Sequence, residues 1–400
     1  MTKNNTPKTV MIGLGYIGLP TAAVMARKEI QVVGVDVNEK VVNTINQGKI
    51  HIIEPDLGTL VHKVVEKGFL EAKVQPEKAD VFLIAVPTPF RGDHEPDLAY
   101  VESATRSLLP FLEEGNLVII ESTSPVGTTE KMLELILSER PELKDQFYMA
   151  YCPERVLPGN VIYELEHNDR AIGGIDDVST KKAIDFYRLF VKGELHATNA
   201  KTAEMTKLVE NASRDVQIAF ANELSMISDK AGINVWELIE LANKHPRVNI
   251  LQPGTGVGGH CIAIDPWFIV DGFPEEARII RTAREINNFK TEWVIEKIRK
   301  TAHDFEKEYQ RWPRIACMGL AFKPNIDDLR ESPAMYVTQS LINHGYEVFP
   351  VEPNIEGHKH LKIYAIDEAL EKADMVVYLV AHDEFVRLKI GDKVVLNFVA

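Results

Sequence analysis

The stretch "TVMIGLGYIGLP", residues 9–20, decides the fold. An apolar run of strand length enters Gly13-Leu14-Gly15-Tyr16-Ile17-Gly18, and a helix-period segment covers 17–28. In a strand–turn–helix unit the first glycine makes the turn, the second admits a pyrophosphate, and the third lets helix lie against strand. The helix N-terminus then turns its unbonded N–H groups toward the phosphates. Asp36 closes the next apolar run, "QVVGVD" (31–36), eighteen residues past Gly18. A carboxylate there accepts from both hydroxyls of a ribose and repels a 2′-phosphate, which favours NAD over NADP. Three spaced glycines alone would also suit a packing turn. The strand before them and Asp36 after them point to a dinucleotide.

Outward from this motif, "DVFLIAV" (80–86), "LVIIES" (117–122) and "FYMAYC" (147–152) read as further buried strands, with helical patterns at 97–109 and 128–139. Strand and helix alternating in this way predict a parallel sheet covered on both faces. The pattern then changes. From 202 to 231 there is neither proline nor glycine, and apolar residues recur at 208, 212, 216, 219/220, 224, 227 and 231. That spacing predicts one helix of about 30 residues, roughly 45 Å long. Helical patterns follow at 235–243 and about 275–304, and after "YQRWP" the alternation returns. Strands are expected at 314–320, 346–351, 374–380 and 393–398, with helices near 333–343 and 366–372. The fold class is therefore α/β, two doubly wound Rossmann-like domains joined by a central helical domain. The boundaries expected are 1–198, 199–305 and 313–400.

Composition narrows the partners. With 45% hydrophobic and 26% charged residues the chain is of ordinary globular type, and a formal charge of −14 disfavours nucleic acid or an anionic membrane as partner. Three well-separated cysteines form neither a disulfide framework nor a zinc spacing, and the twelve histidines show no ligand cluster, so no metal is expected. No apolar run has the length of a membrane span, and the N-terminus lacks a signal-peptide core. A reducing cytoplasm is the expected setting.

Ligands of an open α/β sheet bind at the carboxyl ends of its strands. Loops "AVPTPF" (85–90) and "ESTSPVGTT" (121–129) fall there, so Thr88, Thr123 and Ser124 are candidates to meet the nicotinamide ribose or a substrate. Helix capping is the alternative use of such hydroxyls, one for which Thr128 and Thr129 are placed. In "CPERVLPG" (152–159), Glu154 and Arg155 stand between prolines, as a site or as a local salt bridge. On the long helix Lys207 and Asn211, four apart, share a face, with Glu204 and Asp215 continuing the row. That row is a solvated stripe unless it meets the glycine-rich loop "GTGVGGHCIAID" (254–265). There Cys261, four before Asp265, is a candidate nucleophile or a small buried residue; a neighbouring Lys207 would favour its thiolate. Cys152 and Cys317, inside expected strands, read as structural. His260 reads as structural or substrate-contacting.

Taken in order, "GLGYIGLP", "VPTP", "CPERVLPG", "AEMTKLVEN", "HPRVNI", "GVGGHC" with Asp265, and "GLAFKPNIDDLRESPA" resemble the UDP-glucose/GDP-mannose dehydrogenase family over essentially the whole chain. Val257 and Ile262-Ala263-Ile264 depart from the Phe and Phe-Pro-Lys of the UDP-glucose branch, and the loop looks closer to the branch acting on UDP-N-acetylmannosamine. The resemblance implies a four-electron oxidation at C6 to the uronate with NAD, serving surface polysaccharide synthesis. The same chemistry on UDP-N-acetylglucosamine, or a non-catalytic nucleotide-sugar-binding protein, are the alternatives. It implies Cys261 as the nucleophile forming a thiohemiacetal and then a thioester, Lys207 and Asn211 at the C6 oxygen, and Asp265 and Glu154 at water and protons. Arg155, Val156, Gly258 and Lys323 would contact the UDP-sugar, Arg330 would lie by the cofactor, and Arg247 would reach across a homodimer. The loop glycines would let backbone approach the UDP-sugar. Asn397 stands where the family has an aspartate.

Overall fold

The computed structural model describes residues 6–92, 94–156, 159–259 and 261–399. Contacts group the chain into two units, 1–209 and 210–400, which share the helix Ala200–Ala231. The strands of the first are β1 (Thr9–Ile12), β2 (Val32–Val35), β3 (Leu70–Lys73), β4 (Val81–Ile84), the short pair β5 (Phe90–Arg91) and β6 (Glu95–Pro96), β7 (Leu117–Ile120), β8 (Tyr148–Tyr151), β9 (Arg170–Gly174) and β10 (Leu195–Asn199). Eight of them form one sheet in the order β10-β9-β8-β7-β4-β1-β2-β3. The chain starts mid-sheet, with Val10 opposite both Val33 and Phe82. The order reverses between β1 and β4, which opens a crevice at the carboxyl edge.

Side chains alternate across this sheet, as a strand requires. Met11, Leu83 and Ile119 enter one core, while Val10, Phe82 and Val118 enter the other. Each buried side chain of this size contributes about 1.5–3 kcal/mol. The expected all-parallel arrangement fails at one edge, because β9 runs antiparallel to β8 and β10 follows β9 in parallel. Among the described residues, the one helix in the connection from β8 to β9 is the seven-residue Val161–His167, about 10 Å long, which does not carry the chain back across the sheet.

In the second unit β11 (Ile315–Met318), β12 (Val348–Val351), β13 (Met375–Tyr378) and β14 (Val394–Asn397) form a parallel sheet in the order β12-β11-β13-β14. Helix Arg278–Tyr309 gives Val294, Ile295, Ile298 and Ala302 to the same core as Ile315, Cys317 and Val377. The central helices and this sheet are thus continuous in packing. The two sheets also begin alike. Gly13 (φ 93°) and Gly319 (φ 94°) each donate 2.8 Å bonds, to Val35 and Val351 carbonyls respectively. Leu14 N–H then reaches Asp36 at 3.2 Å, and Leu320 N–H reaches Glu352 at 2.7 Å.

The long helix has two distinct faces. Leu208, Ala212, Asp215, Ala219 and Asn222 are buried, whereas Val209, Phe220 and Ile227 are exposed. The apolar recurrence in the sequence merged the two. No helix among the described residues is long and apolar enough to cross a membrane.

Candidate active site

At the crevice of the first sheet the glycines do different jobs. A Cβ on Gly13 would sit 2.3 Å from the Ala85 carbonyl oxygen, and one on Gly18 would sit 1.8 Å from that of Gly13. Both are required by the protein's own packing. A Cβ on Gly15 would meet nothing within 4 Å, and Gly15 and Tyr16 are exposed. The chain itself does not need a glycine at 15, so that position suits close approach by a ligand. Ile17, at the N-cap of helix Gly18–Arg27, offers no side-chain acceptor; in the first turn Leu19 N bonds the Gly15 carbonyl at 3.2 Å and Pro20 has no N–H, so the backbone from Gly15 to Gly18 is the part placed to meet an anion. Asp36 is half-buried and held in place by N–H groups of Leu14 (3.2 Å) and Asn38 (2.9 Å). These residues fit a bound NAD.

The hydroxyl candidates divide. Thr88 donates to the Thr123 carbonyl at 2.6 Å, which pins both loops together at the strand ends. Ser124 is buried and donates to the Ser122 carbonyl at 2.9 Å, so its hydroxyl serves its own turn. Neither Thr128 nor Thr129 caps helix Thr128–Glu139. Instead buried Glu204 does, accepting from Gly127 N (2.6 Å), Thr129 N (2.8 Å) and Thr129 Oγ1 (2.7 Å). Glu204 is therefore an anchor for the start of the long helix, not part of a solvated row.

Glu154 is buried and pairs with Arg170 at 3.4 Å, while accepting from Arg155 N at 2.6 Å. Its charged partner is thus a residue on β9 that sequence spacing did not suggest. The Arg155 guanidinium donates instead to the Asp169 carbonyl at 3.2 Å. Next to this pair, Tyr187 donates to Glu121 at 2.5 Å, and burial pushes the Glu121 carboxyl up to about 7. Val156 is half-buried in the same loop; Leu157 and Pro158 lie outside the described residues.

In the second unit Cys261 is exposed. Its carbonyl accepts from Ile264 N (3.1 Å) and Asp265 N (2.9 Å), a turn that leads straight into helix Asp265–Gly272. Asp265 is buried and accepts from Asn211 Nδ2 at 2.6 Å. One bond thus ties the thiol's turn to the helix face that carries Lys207 and Asn211. Asp215 leaves the expected row and turns into a buried pair with Arg284 at 2.6 Å. The other two cysteines are buried, and burial pushes their thiols up to about 11 for Cys152 and about 12 for Cys317. Both are poor nucleophiles at neutral pH.

The loop glycines are needed for contacts within this unit. Cβ atoms at Gly256, Gly258 and Gly259 would meet Thr291 Oγ1 at 2.3 Å, the Glu331 carbonyl oxygen at 2.4 Å and the Phe322 ring at 2.9 Å. These contacts latch the loop onto Thr291 and onto residues 322–333. Arg330, whose carbonyl accepts from Gly259 N at 3.3 Å, holds Asp328 at 2.7 Å through its guanidinium. Lys323 and Arg247 are exposed. His260 lies outside the described residues. Among those described, no group of three or more His, Cys, Asp or Glu is arranged to hold a metal ion.

Comparison with known proteins agrees with this geometry. Residues 7–191, 201–289 and 316–397 match the NAD binding, central and UDP binding domains of the UDP-glucose/GDP-mannose dehydrogenase family. A UDP-N-acetyl-D-mannosamine dehydrogenase of Campylobacter jejuni is 54% identical, covering 98% of this chain and 99% of that protein. An NDP-N-acetyl-D-galactosaminuronic acid dehydrogenase of Ralstonia nicotianae is 53% identical, covering 94% and 91%. The solved UDP-D-ManNAc dehydrogenase of Pyrococcus horikoshii superposes with a TM-score of 0.87 at 38% identity, covering 98% and 95%. NAD is the cofactor that the crevice at Gly15 and Asp36 accommodates. From the dinucleotide crevice to the cysteine turn and the second sheet, the chain belongs to the UDP-glucose/GDP-mannose dehydrogenase family.

Proposed function

We propose that this chain oxidises UDP-N-acetyl-D-mannosamine at C6 to UDP-N-acetyl-D-mannosaminuronate, in two two-electron steps, for surface polysaccharide synthesis. The observation that carries the reading is the exposed Cys261 on a turn whose Asp265 is bonded to Asn211 at 2.6 Å. NAD⁺, when bound, accepts hydride from C6. The residues of the chain do the rest. Oxidation of the alcohol leaves an aldehyde, which has no second hydride to give until a nucleophile adds. The Cys261 sulfur bonds to C6 and its proton passes to the C6 oxygen, giving a thiohemiacetal. Loss of the C6 hydride and the hydroxyl proton leaves a thioester. Water then bonds to C6, the C–S bond breaks, and the thiolate regains a proton as the acid departs.

Lys207 and Asn211 stabilise charge on the C6 oxygen, since both project from one helix face. Asp265 fixes the Asn211 amide and takes part in proton movement. Glu154, kept in place by Arg170, orients water. Gly13, Gly15, Tyr16, Ile17, Gly18, Asp36, Thr88, Thr123 and Arg330 form the cofactor set on this reading. Arg155, Val156, Gly258 and Lys323 contact the nucleotide sugar, and Arg247 does so from the second subunit of a homodimer in the cytoplasm. The three functional parts are 1–198 for cofactor, 199–305 for chemistry and 313–400 for the nucleotide. Exposed Phe220, Ile227 and Leu241 supply apolar surface for the dimer, which sedimentation would check.

The deciding experiment counts NADH per sugar over the manno, gluco and galacto N-acetylhexosamine nucleotides. Two NADH per UDP-N-acetylmannosamine, with little turnover of the others, is expected. One NADH would exclude the thioester, and none would leave a binding protein. Preference for the galacto sugar, the substrate class named for the 53% identical relative, would move the reading to that epimer.

A further inference from the structure

Behind the cysteine loop lies a buried polar chain that the reaction scheme does not use. Asp215 and Asn222 sit on the inward face of helix Ala200–Ala231, Arg284 and Asn287 on helix Arg278–Tyr309, and all four are buried. Arg284 donates to Asp215 Oδ1 at 2.6 Å. Asn287 Nδ2 donates to the same oxygen at 2.8 Å and to the Asp215 carbonyl at 3.1 Å. Its other amide atom, Oδ1, accepts from Asn222 Nδ2 at 2.9 Å. The remaining Asn222 atom, Oδ1, accepts from Gly254 N at 2.9 Å, where the cysteine loop starts.

This chain has a direction. A carboxylate only accepts, so Asp215 compels Asn287 to present its NH2. Asn287 must then accept from Asn222, and Asn222 is left with its oxygen toward the loop. An Asn222 amide turned the other way would set NH2 against the Gly254 N–H, donor against donor. Buried polar groups left unpaired cost about 1–3 kcal/mol each, enough to hold one orientation throughout. The loop is bound at further points nearby, by Thr291 Oγ1 to the Thr255 carbonyl (3.2 Å) and Thr255 Oγ1 to the Leu379 carbonyl (2.6 Å).

We infer that Asn222 is a positioning residue for the cysteine loop, and that Asp215, acting through Asn287, sets the amide orientation with which Asn222 holds Gly254. The inference rests on the role given to Cys261 above. It assigns no contact with substrate to any of the four side chains.

The test uses the full chain and two readouts that global stability alone does not move. One is kcat and KM with UDP-N-acetylmannosamine. The other is the rate at which iodoacetamide alkylates the native protein, which reports Cys261 because Cys152 and Cys317 are buried. Asn222→Ala is expected to lower kcat by about tenfold to a hundredfold, the effect of misplacing a reacting group by about 1 Å, with KM for NAD unchanged. The alkylation rate is expected to change severalfold. Asn222→Asp should be impaired too, since it sets a carboxylate oxygen against Asn287 Oδ1, whereas Asp215→Asn, whose amide oxygen can still accept from both Arg284 and Asn287, should be affected less.

Asp215→Ala removes the acceptor that fixes the Asn287 amide, so it should lower kcat and change the alkylation rate as Asn222→Ala does, and the double variant Asp215→Ala/Asn222→Ala should add little beyond either single change. Multiplicative effects overturn the inference, as does an Asn222→Ala protein with unchanged kcat and alkylation. If Asn222→Ala does not fold, Asn222→Asp decides alone: kcat and alkylation equal to the parent's overturn the inference. Loss of the thiol's role is a separate outcome: full acid production by Cys261→Ser would remove the underlying reading whatever the Asn222 variants do.

Discussion

Two glycines three residues apart separate ligand need from packing need. Gly15→Asp places a carboxylate where the protein has open space, beside the site of a pyrophosphate. Its NAD affinity should fall by on the order of tenfold or more from like-charge repulsion, with stability within about 0.5 kcal/mol of the parent. Gly18→Ala should do the reverse, losing about 1–3 kcal/mol because its Cβ meets the Gly13 carbonyl oxygen. Paired NAD titrations and thermal melts check both. Glu121 makes a pH prediction. Burial raises its carboxyl from 4.5 to about 7, so between those values the folded chain keeps a proton that the unfolded chain has released. Stability from this group is full below about 4.5 and is lost as pH rises to about 7, by no more than about 3 kcal/mol. Glu121→Gln should therefore gain on the parent between about pH 5 and about pH 8 in urea midpoints. An equal gap at both pH values would refute the assignment.

Helix Thr128–Glu139 shows how an element can owe its start to a residue far away in sequence. Its N-cap is Gly127, with φ 93°, and the acceptor for its first N–H groups is Glu204. Glu204→Ala should cost about 1–2 kcal/mol, as other cap deletions do, and Glu204→Gln less, because it keeps an acceptor. Urea denaturation measures both. Such a cap was not legible in the sequence, because only folding brings residue 204 to residue 127. Most elements were legible. Helices at 128–139, 333–343 and 366–372 and the core strands carried full apolar runs, so pattern alone located them. β3 ("LEAK") and β10 ("LHATN") did not, since edge strands bury little and their residues are mostly polar. The antiparallel β9 escaped for another reason: strand direction depends on where a connection ends, not on composition.

Across the whole chain, the part of the candidate site legible in the sequence was the chemistry-bearing set, Gly13 to Gly18, Asp36, Asn211, Cys261 and Asp265. These residue types are rare enough at those spacings to stand out. What stayed hidden was the support beneath them. Asp215 and Asn222 occupy the buried helix stripe at a spacing of seven, so two polar residues among Leu208, Ala212 and Ala219 were the available signal. Arg170 offered none, being a lone arginine until β9 pairs beside β8.

The likeness between the two sheets has one more consequence. In the second, the carboxylate after β12 is fully occupied: Glu352 accepts from Leu320 N, Ala321 N at 2.9 Å and His382 Nε2 at 3.0 Å, and is buried. Burial opposes its charge, yet these donors hold the carboxyl down to about 2. The place a ribose would take has been filled from within, so calorimetry should find one NAD per chain. A four-electron oxidation then has a single berth for two visiting cofactors. Whatever half-oxidised sugar forms must outlast the first departure and the second arrival. On that view the chief merit of a covalent bond to Cys261 is custody: it keeps a reactive aldehyde from diffusing away during the exchange.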